Sequence, residues 1–267
     1  MKAAPFLAFG LAAVLTQSAQ AAPDNRSLLI IQDRLPGMDS LAGYLKAHGG
    51  LETKIVGQDA APSDLSAFKA VLLYVDLYYT DAVENSVEAY VKGGGRLVVI
   101  HHSISGKKQP KWLDFVGMRL TGGGTPLAAE PSQPGGHYAF RFGISQTIVN
   151  VQPKHYITSN GIKWPETVDF KPEGAAASAR LPAQTIKATE SYMNFVPLRP
   201  GSRRPILGFK YKDDRNGAEF MQNTAGWTER IGKGQLVYLQ PGHFGEEFQD
   251  SILDQMILNS ITWRPGP

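Results

Sequence analysis

The sequence predicts an α/β protein built on a mainly parallel central sheet. Short continuous apolar runs recur through its first half, helical stretches long enough to cross back over a sheet separate them, and glycines stand where those helices must stop.

The first run, Leu28 to Gln32 (LLIIQ), has strand length and no polar alternation, as a strand buried on both faces requires. Met38, Leu41 and Leu45 follow at helical spacing, and Gly49-Gly50 closes that helix. Leu51 to Val56 gives a second strand and Val71 to Asp76 (VLLYVD) a third. Asp81 opens the next helix with Glu84 three residues on, a capping-box pattern, and Val83, Val87 and Tyr90 or Val91 form its buried stripe. Gly93-Gly94-Gly95 ends it, and Leu97 to Ile100 is a fourth strand. Connections of this kind imply right-handed crossovers between parallel strands.

Gly122 to Gly136, rich in Gly, Pro and Ala, reads as an exposed loop. Short strand-like runs follow at Tyr138–Phe142, Thr147–Val151, Ile206–Tyr211 and Ala218–Gln222. Between the last two, Asp213-Asp214-Arg215-Asn216-Gly217 is a hairpin signal, because Asn-Gly tolerates the positive φ of a tight turn. Gln235 to Leu239 is a further buried strand. A helix from about Asp250 closes the fold, burying Ile252, Leu253, Met256, Ile257 and Ile261. No internal repeat and no second domain is visible, so residues 22–267 read as one α/β domain.

Residues 1–21 read as a cleaved signal peptide. Lys2 supplies the positive region, Ala3 to Leu15 the apolar run, and Ala19-Gln20-Ala21 the small-x-small cleavage site. The run is shorter than the ~20 residues of a membrane helix, and no later stretch is apolar enough to span a bilayer. The expected location is therefore the periplasm or the exterior, with no membrane partner after cleavage. The net charge of +3 is too weak for an electrostatic case for nucleic acid. The densest basic segment, Arg199, Arg203 and Arg204, is broken by Pro and Gly and reads as a solvated loop. There is no cysteine, which excludes disulfides, thiolate ligands and thiol catalysis.

In an open parallel sheet, ligands bind beyond the carboxyl ends of the strands, so the residues after each run are the place to look. The first strand ends in Gln32-Asp33. The third ends in Asp76, with Tyr78, Tyr79 and Thr80 beyond it. The fourth runs into His101-His102-Ser103, and the strand through Tyr238 into Pro241-Gly242-His243 with Glu246 and Glu247. Three of the six histidines fall at this one edge.

The segment from Gly93 to His102, followed by Trp112 and Gly122-Gly123, resembles the Gly-Gly-Gly-x-apolar-His block of trehalose-utilisation (ThuA-like) proteins. His155 to Gly161, Glu190-Ser191-Tyr192, Gly232 to Phe248 and Ile257 to Trp263 resemble that family's later segments, in the same order. The resemblance implies a class I glutamine-amidotransferase-like fold, a flavodoxin-like three-layer sandwich with extra C-terminal β-hairpin elements. Amidotransferases of this class attack glutamine with a cysteine, and this chain has none, so that reaction is excluded. The resemblance also implies a role with sugars, in particular oxidised (keto) glucosides.

His101, directly after an apolar strand, is positioned to reach a cleft, where imidazole exchanges protons near neutral pH. If the strand persists, His102 points the other way, and one of the pair is structural. His243 follows a Pro-Gly turn at the same edge, and Glu246 lies one turn on, to orient it or act as an acid, or else to stand as a solvated loop carboxylate. Glu190 takes its place through the resemblance, as base or carboxylate ligand. The expected catalytic set is thus His101, His243 and Glu190, with Asp76, Tyr78, His102, Trp112, Tyr192 and Glu246 binding substrate. Aromatic faces would stack on a sugar ring and carboxylates take its hydroxyls. His155 is expected to stabilise its own turn, and His137 to be exposed. Two histidines with one or two carboxylates suffice for a metal, but no His-x-x-x-His spacing supports one; no metal is assigned and the cofactor is left open. The leading expectation is an exported enzyme acting on a small-molecule carbohydrate by hydrolysis, elimination or isomerisation. The alternative is a sugar-binding module without turnover.

Overall fold

A computed structural model describes residues 27–33, 37–104, 108–120, 138–215 and 217–265. The expected signal peptide, the Gly122 to Gly136 loop and His137 lie outside the described residues.

The first half alternates as expected. Strand β1 (Ser27–Gln32) leads to helix α1 (Met38–Gly49), β2 (Glu52–Val56), β3 (Ala70–Tyr74), α2 (Asp81–Gly93) and β4 (Arg96–Ile100). A short helix α3 (Pro110–Phe115) and strand β5 (Met118–Leu120) follow. Then come β6 (Ala139–Asn150), α4 (Tyr156–Ser159), β7 (Glu166–Phe170), β8 (Ala179–Met193) and β9 (Phe195–Pro197). The chain closes with β10 (Arg203–Lys212), β11 (Glu219–Ile231), β12 (Gly234–Leu239) and α5 (Ser251–Thr262).

One ten-stranded sheet runs in the order β2-β1-β3-β4-β12-β11-β10-β6-β8-β7. Its first five strands pair in parallel, and 2-1-3-4 followed by β12 is the flavodoxin-like order. The remaining five form an antiparallel wing grown on β12. Alternation along the parallel strands feeds two cores. Leu28 and Ile30 face α1 and α5 with Leu72, Val98 and Val237, while Leu29 and Ile31 face α2 and α3 with Val71, Val99 and Leu236. Helix covers both faces, the three-layer arrangement expected.

The helix ends follow ordinary rules with one shift. α2 is capped by Thr80, whose side chain accepts the Val83 N–H, one residue before the Asp81 that the sequence pattern suggested. Asp250 caps α5 in the same way, accepting the Ile252 N–H.

The wing holds more strand than the sequence shows. The runs Tyr138–Phe142 and Thr147–Val151 are one strand, β6, and the polar stretch leading to Glu190 is the fifteen-residue β8. These strands pair with irregular register around Phe142 and Ile144, and Ala188 has a positive φ of 53°, so simple apolar alternation is broken. The Arg199–Arg204 segment is not a solvated loop. Arg203 starts β10 and is buried, its guanidinium 3.9 Å over the Trp227 ring, while Arg199 donates to Glu229 at 2.6 Å. A buried carboxylate, Glu229, needs those cations.

Candidate functional site

The carboxyl ends of β4 and β12 lie side by side, since the two strands pair in parallel. β4 stops at Ile100 and the chain enters a 3-10 turn, His101–Ile104, with His101 at a left-handed φ of 44°. Strand alternation ends there, so His101 and His102 both turn toward the same carboxylate, that of Glu190. The expectation that His102 points away is corrected by this backbone turn. Ser103 ties the turn to the end of β3, donating to the Leu73 carbonyl (2.9 Å) and accepting the Val75 N–H (3.0 Å).

After β12, Gly242 has φ 111°, and a Cβ there would meet Ile100 and the Phe248 ring at 2.9 Å. Only glycine gives this close, left-handed turn, which swings His243 back over the sheet edge. The loop is held from three sides. Tyr74 Oη donates to the His243 carbonyl at 3.1 Å, and Glu247 accepts N–H bonds from Gly242 (2.9 Å) and Phe244 (3.2 Å) and the hydroxyl of Thr189 (2.8 Å).

Glu190 arrives from β8, opposite Phe142 of β6. Its Oε2 lies 2.9 Å from His101 Nε2, 3.2 Å from His243 Nδ1 and 3.4 Å from His102 Nε2. His243 Nδ1 and His101 Nε2 are 3.1 Å apart. The four ligand-type atoms lie within 4.8 Å of one another. His101 is wholly buried, and the side chains of Glu190, His102 and His243 are nearly so. The site sits over β4 and β12, displaced from the β1/β3 switch point toward the wing that supplies Glu190.

The electrostatics follow from burial. Burial opposes ionisation of Glu190, but hydrogen bonds from His101 and His243 and the charges of His101 and His102 outweigh it, holding the carboxyl well below the usual range. Burial, then the neighbouring His101, pushes His102 far below an ordinary imidazole. The His101 Nδ1 contacts the Gln240 carbonyl, an acceptor only, so that nitrogen carries a proton, and a hydrogen bond from Nε2 to Glu190 needs a second one on the ring. Gln240 in turn donates to Gln146 (3.2 Å) and Ser191 (3.3 Å), and Gln146 donates to the Glu190 carbonyl (2.9 Å).

Of the other expected residues, Asp76 borders the cluster, 3.9 Å from His102 Nε2. Asp33 holds its loop by accepting the N–H groups of Asp76 (2.7 Å) and Leu77 (2.8 Å), and Lys108 Nζ donates to both of their carbonyls. Tyr78 is exposed two residues further on. Trp112 and Tyr192 are buried, which corrects their assignment as stacking platforms. Trp112 packs on Tyr79 and braces the histidine turn through its indole N–H on the Ser103 carbonyl, at 2.8 Å. Tyr192 lies against the His101 ring, centroids 4.8 Å apart. Glu246 is exposed, and its neighbour Glu247 is the carboxylate that shapes the His243 loop. His155 caps α4 by accepting the Ile157 N–H, as expected for a turn-stabilising residue.

Sequence reasoning missed Glu247, Gln240 and Phe142. Glu247 reaches back to the Phe244 N–H, but with phenylalanine at the N-cap no capping-box pattern announces it in the sequence. Phe142 carries no signal either. It is 62% exposed, with its ring 5.2 Å from that of His243, an open aromatic face beside the cluster.

A family model described as trehalose utilisation, ThuA, matches residues 31–264. The chain belongs to the ThuA family. Two solved ThuA-like proteins are similar in fold. One, from Parabacteroides merdae, has a TM-score of 0.60 at 16% identity, covering 89% of this chain and 88% of that one. The other, from Bacteroides uniformis, has a TM-score of 0.57 at 17% identity, with 90% and 91% covered. A β-galactosidase from Bacillus circulans matches at a TM-score of 0.50 and 15% identity, over 86% of this chain but 30% of that one. No curated protein matches the chain. ThuA membership relates the chain to carbohydrate, and the buried cluster of three histidines and a glutamate is its concentration of titratable groups at the sheet edge.

Proposed function

We propose that this ThuA protein is an exported enzyme acting on a glycoside or keto-sugar at the Glu190 cluster, by hydrolysis, elimination or isomerisation. One observation supports it above the rest: a single carboxylate oxygen within 3.4 Å of three imidazoles, at the edge where such sheets bind ligands.

The roles follow from which atoms are committed. His243 presents Nδ1 to Glu190, so its other nitrogen, Nε2, is on the far side of the ring from that carboxylate. A carboxylate that accepts Nδ1–H leaves Nε2 free to take a proton, the logic of every carboxylate–histidine pair. His243 is therefore the base toward substrate and Glu190 assists it. His101, with Nδ1 fixed on Gln240, faces Glu190 through Nε2 and serves as the acid that returns the proton through the cluster. Phe142 offers an apolar face to a sugar ring, with Asp76 and Tyr78 on the opposite loop to take hydroxyls. Phe142 also lines an open cavity of about 660 Å³ with Arg141, Ile144 and Lys210, whose lining holds none of the three histidines or Glu190.

The carbohydrate class comes from the family, and export from the leader-like first 21 residues. The test is turnover of a panel of glucosides and their 3-keto forms by the purified protein, followed by His243→Ala and Glu190→Gln. Conversion of a keto-sugar that both variants lose by at least about 100-fold is the expected result. Stabilisation by sugar with no product on long incubation would mean a sugar-binding module. No response to any sugar overturns the reading.

A further inference from the structure

The three histidines and Glu190 have a geometry that proton transfer alone does not require. His101 Nε2, His102 Nε2, His243 Nδ1 and Glu190 Oε2 come from three separate parts of the chain and converge on one point. The Gln240 carbonyl places the proton of a neutral His101 on Nδ1, so its Nε2 directs a lone pair inward. What it meets there is the carboxylate oxygen of Glu190 and the Nδ1 of His243. Atoms this close need positive charge between them, supplied either by the protons that His101 and His243 give to Glu190 or, in their place, by one cation.

Four of the separations among these atoms are 2.9, 3.1, 3.2 and 3.4 Å, and all are within 4.8 Å. A tetrahedral ion with bonds of ~2.0–2.1 Å to nitrogen and oxygen holds its ligands ~3.3 Å apart. The measured separations bracket that value. Imidazole with one carboxylate and no thiolate is a donor set for zinc and its neighbours, and too nitrogen-rich for magnesium or calcium. The surroundings of His101 and Glu190 also fit, while the buried His102 Nδ1 has no hydrogen-bond partner among the described residues. The ligating form of His101 requires an acceptor on its other nitrogen, and Gln240 supplies one, while Gln146 fixes the backbone at Glu190. The Tyr192 ring lies against His101, and the Glu247-braced turn holds His243 in place.

We propose that His101, His102, His243 and Glu190 form a binding site for one divalent cation of the zinc type. The missing His-x-x-x-His spacing is no obstacle, because only two ligands are neighbours in sequence and the sheet assembles the rest. The inference rests on the proposed function for its consequence, that of naming a cofactor for the same site. Proton and cation compete for the same lone pairs. Were the ion bound, His101, His102, His243 and Glu190 would be its ligands, and it would supply Lewis-acid chemistry at the site in place of the proton transfer given to His243.

The experiment is zinc titration of the full chain after chelator treatment and dialysis, by calorimetry with metal analysis, and cobalt substitution read by visible absorption. One equivalent of zinc, with intense cobalt bands of low coordination number, is expected. His243→Ala and Glu190→Gln, each checked for folding by circular dichroism, should weaken zinc by about tenfold or more. His155→Ala, a histidine outside the cluster, should leave it unchanged. No stoichiometric zinc, or zinc that survives both cluster variants in folded protein, overturns the proposal. Turnover is read separately. Sugar conversion by a protein that takes up no zinc defeats the metal inference and keeps the function, whereas tight zinc with no conversion of any sugar does the reverse.

Discussion

Glu190 Oε2 lies 2.9 Å from His101 Nε2 although 89 residues separate them, because β8 of the antiparallel wing passes the place where β4 of the parallel core ends. The pair joins two parts of the fold with different logic. The core delivers histidines where parallel strands stop, and the wing delivers the carboxylate from within a long irregular strand. Glu190→Gln keeps the shape and removes the charge. Measured kcat should fall by about 100-fold or more on whichever sugar is turned over, with the far-ultraviolet circular dichroism unchanged.

Glu247 shapes the site without reaching it. Its carboxylate takes the N–H groups of Gly242 and Phe244 and the Thr189 hydroxyl, linking the His243 turn to the strand that carries Glu190. Glu247→Ala leaves those donors without their partner, and should lower stability by roughly 1–3 kcal/mol and reduce kcat more than it raises KM. Glu247→Gln, which retains an acceptor, should recover part of kcat. Glu246→Ala, at the exposed neighbour, should stay within about 0.5 kcal/mol of the parent in chemical denaturation.

Much of this was legible in the sequence, and the parts that were not share a cause. Strands β1, β3, β4 and β12 are buried on both faces, so their apolar runs are nearly unbroken and their ends mark the site edge. His101 and His243 stand out for that reason. In the wing, by contrast, β8 has mixed exposure and a positive-φ residue at Ala188, so no period survives to announce it. His102 was misplaced because alternation was extended past Ile100 into a turn that does not alternate. Trp112 and Tyr192 are aromatic residues near a site, yet both support its histidines from within the core. Sequence order shows proximity to a site but not whether a ring faces in or out.

Phe142 and Trp112 should therefore separate cleanly by experiment. Phe142 is exposed beside His243, so Phe142→Ala should raise KM for sugar several-fold, leave kcat near the parent value and barely move the melting midpoint. Trp112 is buried and its N–H holds the Ser103 carbonyl. Trp112→Ala should cost about 3–5 kcal/mol in urea unfolding, with KM intact in whatever protein remains folded.

The last prediction concerns pH and lies away from the site, on α5. Asp254 is buried, its Oδ1 has no hydrogen-bond partner, and its pKa is pushed up to about 7, first by burial and then by the charge of Asp250 one turn earlier. From α1, the Tyr44 hydroxyl also feels this carboxylate, and its own pKa is raised, by burial first and then by Asp254. In the unfolded chain the Asp254 carboxyl ionises near its ordinary 3.8. Between those two values the folded protein holds a proton that the unfolded chain has released, so stability falls as pH rises from about 4 to 7 and is lowest, for this group, above 7. Asp254→Asn removes the titration. It should flatten that slope, leave the acid side little changed, and stabilise the protein at pH 8 by on the order of 1–2 kcal/mol after solvent screening. Urea unfolding of both proteins at pH 5 and pH 8 checks it. An equal difference between the two at both pH values would show that Asp254 is ionised throughout the folded range.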